Sequence, residues 1–281
     1  MAVPLIIEKI VTRNVFTEIH KQPVKTLIKI PLVNLFIRKK IKKKLIDFFG
    51  GKLVEITIGG AALNKEVEKF LRFIHFPYTV GYGMTECSPL IAYSYWSEFK
   101  EQSCGQVVDR MEAKIDSSNA QTEVGEILVK GTNVMLGYYK NEDATNEVML
   151  PDGWMKTGDL GILDKDNFLF IKGRNKNMIL GSSGQNIYPE EIEDKLNNSP
   201  YVQESLVIEE DGKVVALIFP EAEAMKENKV EPKDYQTFFE DVVKGINLTL
   251  PLYSKIKSFR IQEEEFVKTP KKSIRRFKYQ K

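Results

Sequence analysis

LVEITIGGAALNKEVEKFLRFIHFPYTVGYGMTECSP, residues 53–89, holds the change of period that decides the fold. LVEITIGG is a short β-rich run that stops on Gly59 and Gly60. Asn64 then stands where a helix cap belongs, and Val67, Phe70, Leu71 and Ile74 follow at the spacing of one buried helix stripe. FPYTV is a second β-rich run, and it enters Gly81, Tyr82, Gly83, Thr85 and Glu86. Strand, glycine turn, helix, strand, glycine-rich loop is an α/β order, and in such folds ligands collect at loops beyond the carboxyl ends of strands. Gly81 and Gly83 let a backbone approach a ligand closely, Tyr82 offers a ring for stacking on a base, and Glu86 offers a carboxylate for a hard cation such as Mg²⁺. Taken alone, the same loop also reads as a buried tyrosine beside an exposed glutamate.

Working outward, the 281 residues leave room for two domains, and 42% hydrophobic with 28% charged residues is the balance of a soluble globular chain. There is no apolar run of about 18 residues, and MAVPLIIEKI lacks the basic, apolar, small-residue order of a secretory signal, so a cytoplasmic location is expected. Cys87 and Cys104 fit no disulfide framework or zinc pattern and read as reduced thiols. With His20 and His75 the only histidines, hydrolytic triads and histidine-rich metal centres are disfavoured.

Residues 1–52 carry twelve Lys or Arg against three Asp or Glu, concentrated in RKKIKKK at 38–44. A solvated or packed helix face is the first reading of that block, an anionic membrane surface the second, and nucleic acid the last, so no nucleic-acid partner is expected. Leu35, Phe36, Ile37, Ile41, Leu45, Ile46, Phe48 and Phe49 recur among the cations as in an amphipathic helix.

From about residue 105 short strands and turns take over. GEILVKG at 125–131, the Asp152-Gly153 turn and the DKDN turn at 164–167 predict hairpins of a small barrel or sandwich. Beyond GRNKN, Pro189 suits a first helical turn with Glu190 and Glu191. A hairpin about Asp211-Gly212 follows, and Tyr235, Phe238, Phe239, Val242, Val243 and Ile246 repeat with helical spacing. The expected architecture is therefore α/β: residues 1–175 as an α/β domain with a β-barrel-like portion, and 176–281 as a compact α+β domain.

Three further stretches carry chemistry, each weak singly. In WMKTGDLG, Asp159 follows a glycine and could accept from two vicinal ribose hydroxyls. In GRNKN, Arg174 supplies a planar donor fork and Lys176 a mobile cation. KTPKKSIRR places Lys268, Lys271, Lys272, Arg275 and Arg276 near the end, where a basic tail is the plainer reading.

Taken in order, GGA at 59–61, GYGMTE, GEILVKGTNVMLGYYKN, WMKTGD, GRNKNMILGSSGQNIYPEEIE and the terminal KTPKKSIRR closely resemble the adenylate-forming (AMP-binding) superfamily, and within it the long-chain fatty acyl-CoA synthetases. The resemblance runs from about residue 59 to the end, and VPLIIEKI is similar to a segment of the long-chain branch. It implies ATP, Mg²⁺ and CoA as cofactors and a fatty acid as substrate: the carboxylate is adenylated with release of pyrophosphate, and the CoA thiol then takes the acyl group. It further implies that Gly59, Gly60 and Ala61 line the nucleotide and acyl pockets, Tyr82 stacks on adenine between Gly81 and Gly83, Thr85 touches phosphate and Glu86 holds Mg²⁺. Asp159 and Arg174 would bind ribose, and Lys176 would be the hinge about which the C-terminal domain swings. The loop from Gly181 through Gly184 to Tyr188 would be presented in the thioester-forming state.

Two departures accompany the resemblance. The superfamily's Ser/Thr/Gly-rich phosphate loop, which precedes GGA, is absent, so the chain resembles the latter half of a synthetase. At the terminus, strict alignment puts Ser273 where the adenylating lysine belongs, and Lys272, one position off, is favoured over Lys271 for that role. Other adenylate-forming ligases, acting on aryl acids or in peptide synthesis, share the nucleotide motifs. A non-catalytic nucleotide-binding or membrane-associated module is the reading from a different class.

Overall fold

A computed structural model of the chain describes residues 2–11, 31–181, 184–269 and 273–280. Two compact units are present, Met1–Thr157 with Gly161–Ile171, and Gly158–Leu160 with Lys172–Lys281.

In the first unit, helices α1 (Pro4–Val11) and α2 (Pro31–Phe48) precede strand β1 (Ile56–Gly59), helix α3 (Lys65–Phe73) and strand β2 (Tyr78–Gly83). Asn64 caps α3 as its position predicts, its Oδ1 accepting from the amides of Glu66 and Val67 at 3.0 and 3.1 Å. Val67, Phe70, Leu71 and Ile74 are buried against Ile7 and Val11 of α1, Leu45 of α2 and Ile56 and Ile58 of β1. Glu68 is the polar intruder in this core. It is 2% exposed and accepts from the Gln102 amide at 2.9 Å and the Tyr78 hydroxyl at 3.3 Å. Burial pushes its pKa up to about 7, with those hydrogen bonds pulling the other way.

The apolar residues of α2 do not share a single side, which corrects the amphipathic expectation. Leu45 is buried and Ile41, Ile46 and Phe49 pack on the core, while Leu35, Phe36 and Phe48 are exposed. The helix is held by one side and bears aromatic residues on the other.

Strand β1 pairs with β2 in parallel, and β2 continues antiparallel to β3 (Leu90–Tyr93) and then β4 (Gln106–Val107), giving the sheet order β1-β2-β3-β4. A second sheet has the order β5 (Met111–Asp116), β6 (Gly125–Gly131), β7 (Met155–Leu163), β8 (Leu169–Arg174), with the short helix α4 (Glu142–Val148) between β6 and β7. No closed barrel is formed: the sheet runs from β5 to β8, and β8 goes on to meet the segment at β4, the Cys104 amide donating to Leu169 O at 2.7 Å and the Leu169 amide to Gly105 O at 3.0 Å, with an antiparallel bridge between Gln106 and Phe168. The predicted turn at 164–167 is present, with Asp164 Oδ1 accepting from the amides of Asp166 and Phe168 and Asn167 at φ 61°.

The second unit opens on the two-residue strands β9 (Ile179–Leu180) and β10 (Asn186–Ile187), then helix α5 (Pro189–Asn197) with Pro189 in its first turn as expected. Strands β11 (Val202–Glu210) and β12 (Lys213–Pro220) form the hairpin about Asp211 and Gly212, whose φ values of 50° and 71° match a tight primed turn. Helices α6 (Ala222–Glu227) and α7 (Tyr235–Asn247) follow, and β13 (Ser258–Ile261) lies parallel to β12. One face of the β11-β12-β13 sheet is covered by Ile192 and Leu196 of α5 and Phe239 and Val243 of α7. The other packs Leu206, Ile208, Val215 and Leu217 beneath Phe266, Ile274 and Tyr279. The chain's terminal segment thus completes the core of its own domain.

Candidate functional site

The parallel register of β1 and β2 sets Gly59 opposite Gly81, so the two glycine-rich loops leave the same edge of one sheet side by side. At that edge Gly83 has no room for a side chain: a Cβ there would lie 2.3 Å from the Pro89 carbonyl oxygen. The pinched backbone is closed by the Met84 amide donating to Pro89 O at 2.8 Å, and a short 3₁₀ turn, Thr85–Cys87, projects from it. Thr85 is exposed and Glu86 half-buried, whereas Tyr82 is 8% exposed, its ring sharing a core with Cys87, Ile91 and Ala92. Cys87 is buried and its thiol pushed up to about 11 by burial, so it is an inert thiol of this core.

The turn is held from the segment after β6, whose residues carry no direct sign of this role in the sequence. The Met135 amide donates to the Glu86 carbonyl at 2.7 Å, and Asn133 Nδ2 donates to the carbonyls of Cys87 and Leu90 at 2.6 and 3.2 Å. The Tyr138 hydroxyl donates to Glu86 Oε1 at 3.0 Å, and burial, with this contact, raises the Tyr138 pKa. Glu86 is thereby a carboxylate with one oxygen oriented by a neighbour. Among the described residues no group of three or more His, Cys, Asp or Glu could form a metal cage. A single oriented carboxylate fits Mg²⁺, which is usually held by one or two carboxylates together with phosphate oxygens and water.

The second unit contains the other expected residues. Asp159, on β7, is 7% exposed, and Arg174 at the end of β8 reaches it with Nε 3.2 Å from Oδ1. Lys176 is exposed on the 3₁₀ turn Asn175–Asn177 that follows. Asn177 Nδ2 donates to Glu190 Oε1 at 2.6 Å, which ties this turn to the start of α5. Of the next loop, Gly181 and Gly184 are described: the Gly181 amide donates to Gln185 O and the Gly184 amide to Gly181 O, both at 2.8 Å, with Gly184 at φ 82°.

Lys271 and Lys272 lie outside the described residues, but their anchorage on either side is defined. Lys268 and Ile274 form an antiparallel bridge, and the Thr269 amide donates to Ser273 O at 2.8 Å. Arg276 fastens this segment to the domain. Its guanidinium donates to Val207 O at 3.0 Å, pairs with Glu193 at 2.5 Å and lies 3.8 Å from Glu190. Burial pushes Glu193 up to about 7 while Arg276 pulls against it. Neither Arg276 nor Glu193 was singled out for this pairing from sequence, since the two are 83 positions apart.

Residues 1–139 match the model of the AMP-binding enzyme family and residues 176–281 that of the AMP-binding enzyme C-terminal domain. The chain belongs to the AMP-binding enzyme family. Among curated relatives, it is 37% identical over 193 residues to a long-chain-fatty-acid–CoA ligase of Salmonella typhimurium, covering 64% of this chain and 34% of the relative. It is 30% identical over 256 residues to a long-chain-fatty-acid–CoA ligase of Mycobacterium bovis, covering 84% and 42%. The solved structure of o-succinylbenzoate CoA synthetase of Bacillus subtilis with its acyl-adenylate intermediate aligns at a TM-score of 0.68 and 27% identity, over 86% of this chain and 49% of that one. The chain thus spans less than half the length of each of these proteins.

Proposed function

We propose that this member of the AMP-binding family serves the ATP-dependent joining of a long-chain fatty acid to CoA. The acid's carboxylate attacks the α-phosphorus of ATP, forming an acyl-adenylate and releasing pyrophosphate. The CoA sulfur then attacks the acyl carbon and AMP departs. The observation that carries the reading is the Gly59–Gly81 register, which aligns two glycine-rich loops beside a carboxylate held by Tyr138. Two long-chain ligases among the relatives support the choice of acid.

In this reading Gly59, Gly60 and Ala61 let the backbone approach the nucleotide, Tyr82 faces adenine and Thr85 meets phosphate. Asp159, aligned by Arg174 at 3.2 Å, accepts from the ribose hydroxyls. Glu86 would hold Mg²⁺, which when bound offsets phosphate charge. Lys272 donates to the departing phosphate oxygens during adenylation. Lys176 is the pivot between half-reactions, and the loop from Gly181 through Gly184 to Tyr188 belongs to the thioester-forming arrangement. The domain division proposed for this motion is 1–175 and 176–281.

The test is acid-dependent ATP–pyrophosphate exchange with palmitate, octanoate and benzoate by a full-length version, in which the phosphate-binding loop precedes this chain, followed by CoA-dependent release of AMP. Exchange strongest with palmitate, and slowed by Lys272→Ala far more than thioester formation from supplied acyl-adenylate, is expected. Exchange fastest with benzoate would reject the long-chain assignment, and equal loss of both steps would reject the role of Lys272.

A further inference from the structure

The basic block at 38–44 has no part in the nucleotide site, and helix α2 carries it on an unusual surface. At about 3.6 residues per turn, Lys39, Lys40, Lys43 and Lys44 occupy one continuous side of α2. All four are exposed, and none has an ion-pair partner among the described residues. The other two cations of the helix are engaged elsewhere: Arg38 lies 4.6 Å over the Phe73 ring and Lys42 5.9 Å over the Trp96 ring. Phe36 and Phe48 stand at the two ends of the lysine side, 69% and 62% exposed. Asp47 is the only acid in the eighteen residues of the helix.

Such a face repels itself modestly in water. Lys39 with Lys43 and Lys40 with Lys44 are like-charge pairs four apart, which weaken a helix. Packing of Leu45, Ile41 and Ile46 on the core opposes that repulsion. A dense anionic surface would relieve it, and two phenyl rings projecting beside the cations can enter an interface that also has an apolar interior. A protein partner would need four carboxylates at matching spacing and pockets for both rings; a bilayer offers mobile negative headgroups above hydrocarbon.

We propose that this side of α2 docks onto a bilayer containing anionic lipid, with Lys39, Lys40, Lys43 and Lys44 on the headgroups and Phe36 and Phe48 inserted at the boundary. No described helix is long and apolar enough to cross a membrane, and the contact proposed is one at the bilayer surface. It stands apart from the ligase reading, because binding is scored without turnover.

The experiment is sedimentation of this chain with vesicles of phosphatidylcholine alone and of phosphatidylcholine mixed with phosphatidylglycerol. Binding to the mixed vesicles only is expected, and it should vanish near 1 M salt, where the screening length falls to about 3 Å. The Lys39→Gln, Lys40→Gln, Lys43→Gln, Lys44→Gln variant should lose at least about tenfold in affinity while melting no lower than the parent, because like-charge pairs are removed. Phe36→Ser with Phe48→Ser should weaken binding at low salt and leave the salt dependence in place. Equal binding to neutral vesicles overturns the proposal, as does undiminished binding by the glutamine variant. Lysine-dependent self-association without vesicles, or salt-sensitive binding to duplex DNA with none to vesicles, also overturns it by assigning the face to another occupant.

Discussion

The Tyr138 hydroxyl and the Glu86 carboxylate, 52 positions apart, meet at 3.0 Å on the turn after β2. This contact fixes one carboxylate oxygen and orients the other. Tyr138→Phe removes a charge-assisted hydrogen bond at a partly exposed position, where about 1 kcal/mol is at stake, so Mg²⁺-dependent ATP affinity should fall about fivefold. Calorimetric titration with and without Mg²⁺ checks this. An equal effect in the presence of EDTA would mean that the hydroxyl serves the nucleotide and would count against Glu86 as a ligand of Mg²⁺.

Glu68 makes the first unit sensitive to pH. Its pKa is raised by burial from 4.5 to about 7, so the folded state holds this proton more tightly than the unfolded chain does. Stability from this group is then fully present below about pH 4.5 and is lost as pH rises to about 7, by up to about 3 kcal/mol. Glu68→Gln keeps an acceptor for the Gln102 amide and cannot ionise. Urea melts between pH 5 and pH 8 should show wild type losing stability relative to the variant; parallel curves would place Glu68 as ionised throughout.

Arg276 anchors the terminal segment through Glu193. Arg276→Met leaves a buried carboxylate without its cation, a change that costs about 3 kcal/mol. Freed of the guanidinium, the Glu193 pKa rises further, so the loss should be larger at pH 8 than at pH 5. Adding Glu193→Gln should recover much of it. A loss independent of pH and unrelieved by the second change would show that Arg276 acts through packing alone.

How far these features were legible in the sequence depends on range. The Asn64 cap, Pro189 in the first turn of α5 and the Asp211-Gly212 turn rest on contacts within a few residues, and each appears where the local pattern put it. The sides of α2 could not be assigned from its own residues, because Ile41 and Leu45 turn inward only where α1, β1 and α3 present a surface to them. The hairpins of β5 to β8 were legible while the choice between barrel and sandwich was not, because hairpin spacing specifies neighbours and leaves closure undetermined. Asn133 and Tyr138 were missed as supports of Glu86 since nothing between residues 86 and 138 records that they meet. The GYY within LGYYKN was the available signal.

The central claim is that Asp159 and Arg174, 3.2 Å apart, form part of a nucleotide site in this chain. Calorimetric titration with a non-hydrolysable fatty acyl-adenylate analogue and Mg²⁺, on wild type and Asp159→Ala, tests it most directly. The account predicts saturable binding by wild type and about a tenfold loss in the variant, the scale expected when the acceptor of a bound hydroxyl is removed. Absence of binding by the folded wild-type chain, or equal affinity in the variant, would contradict it.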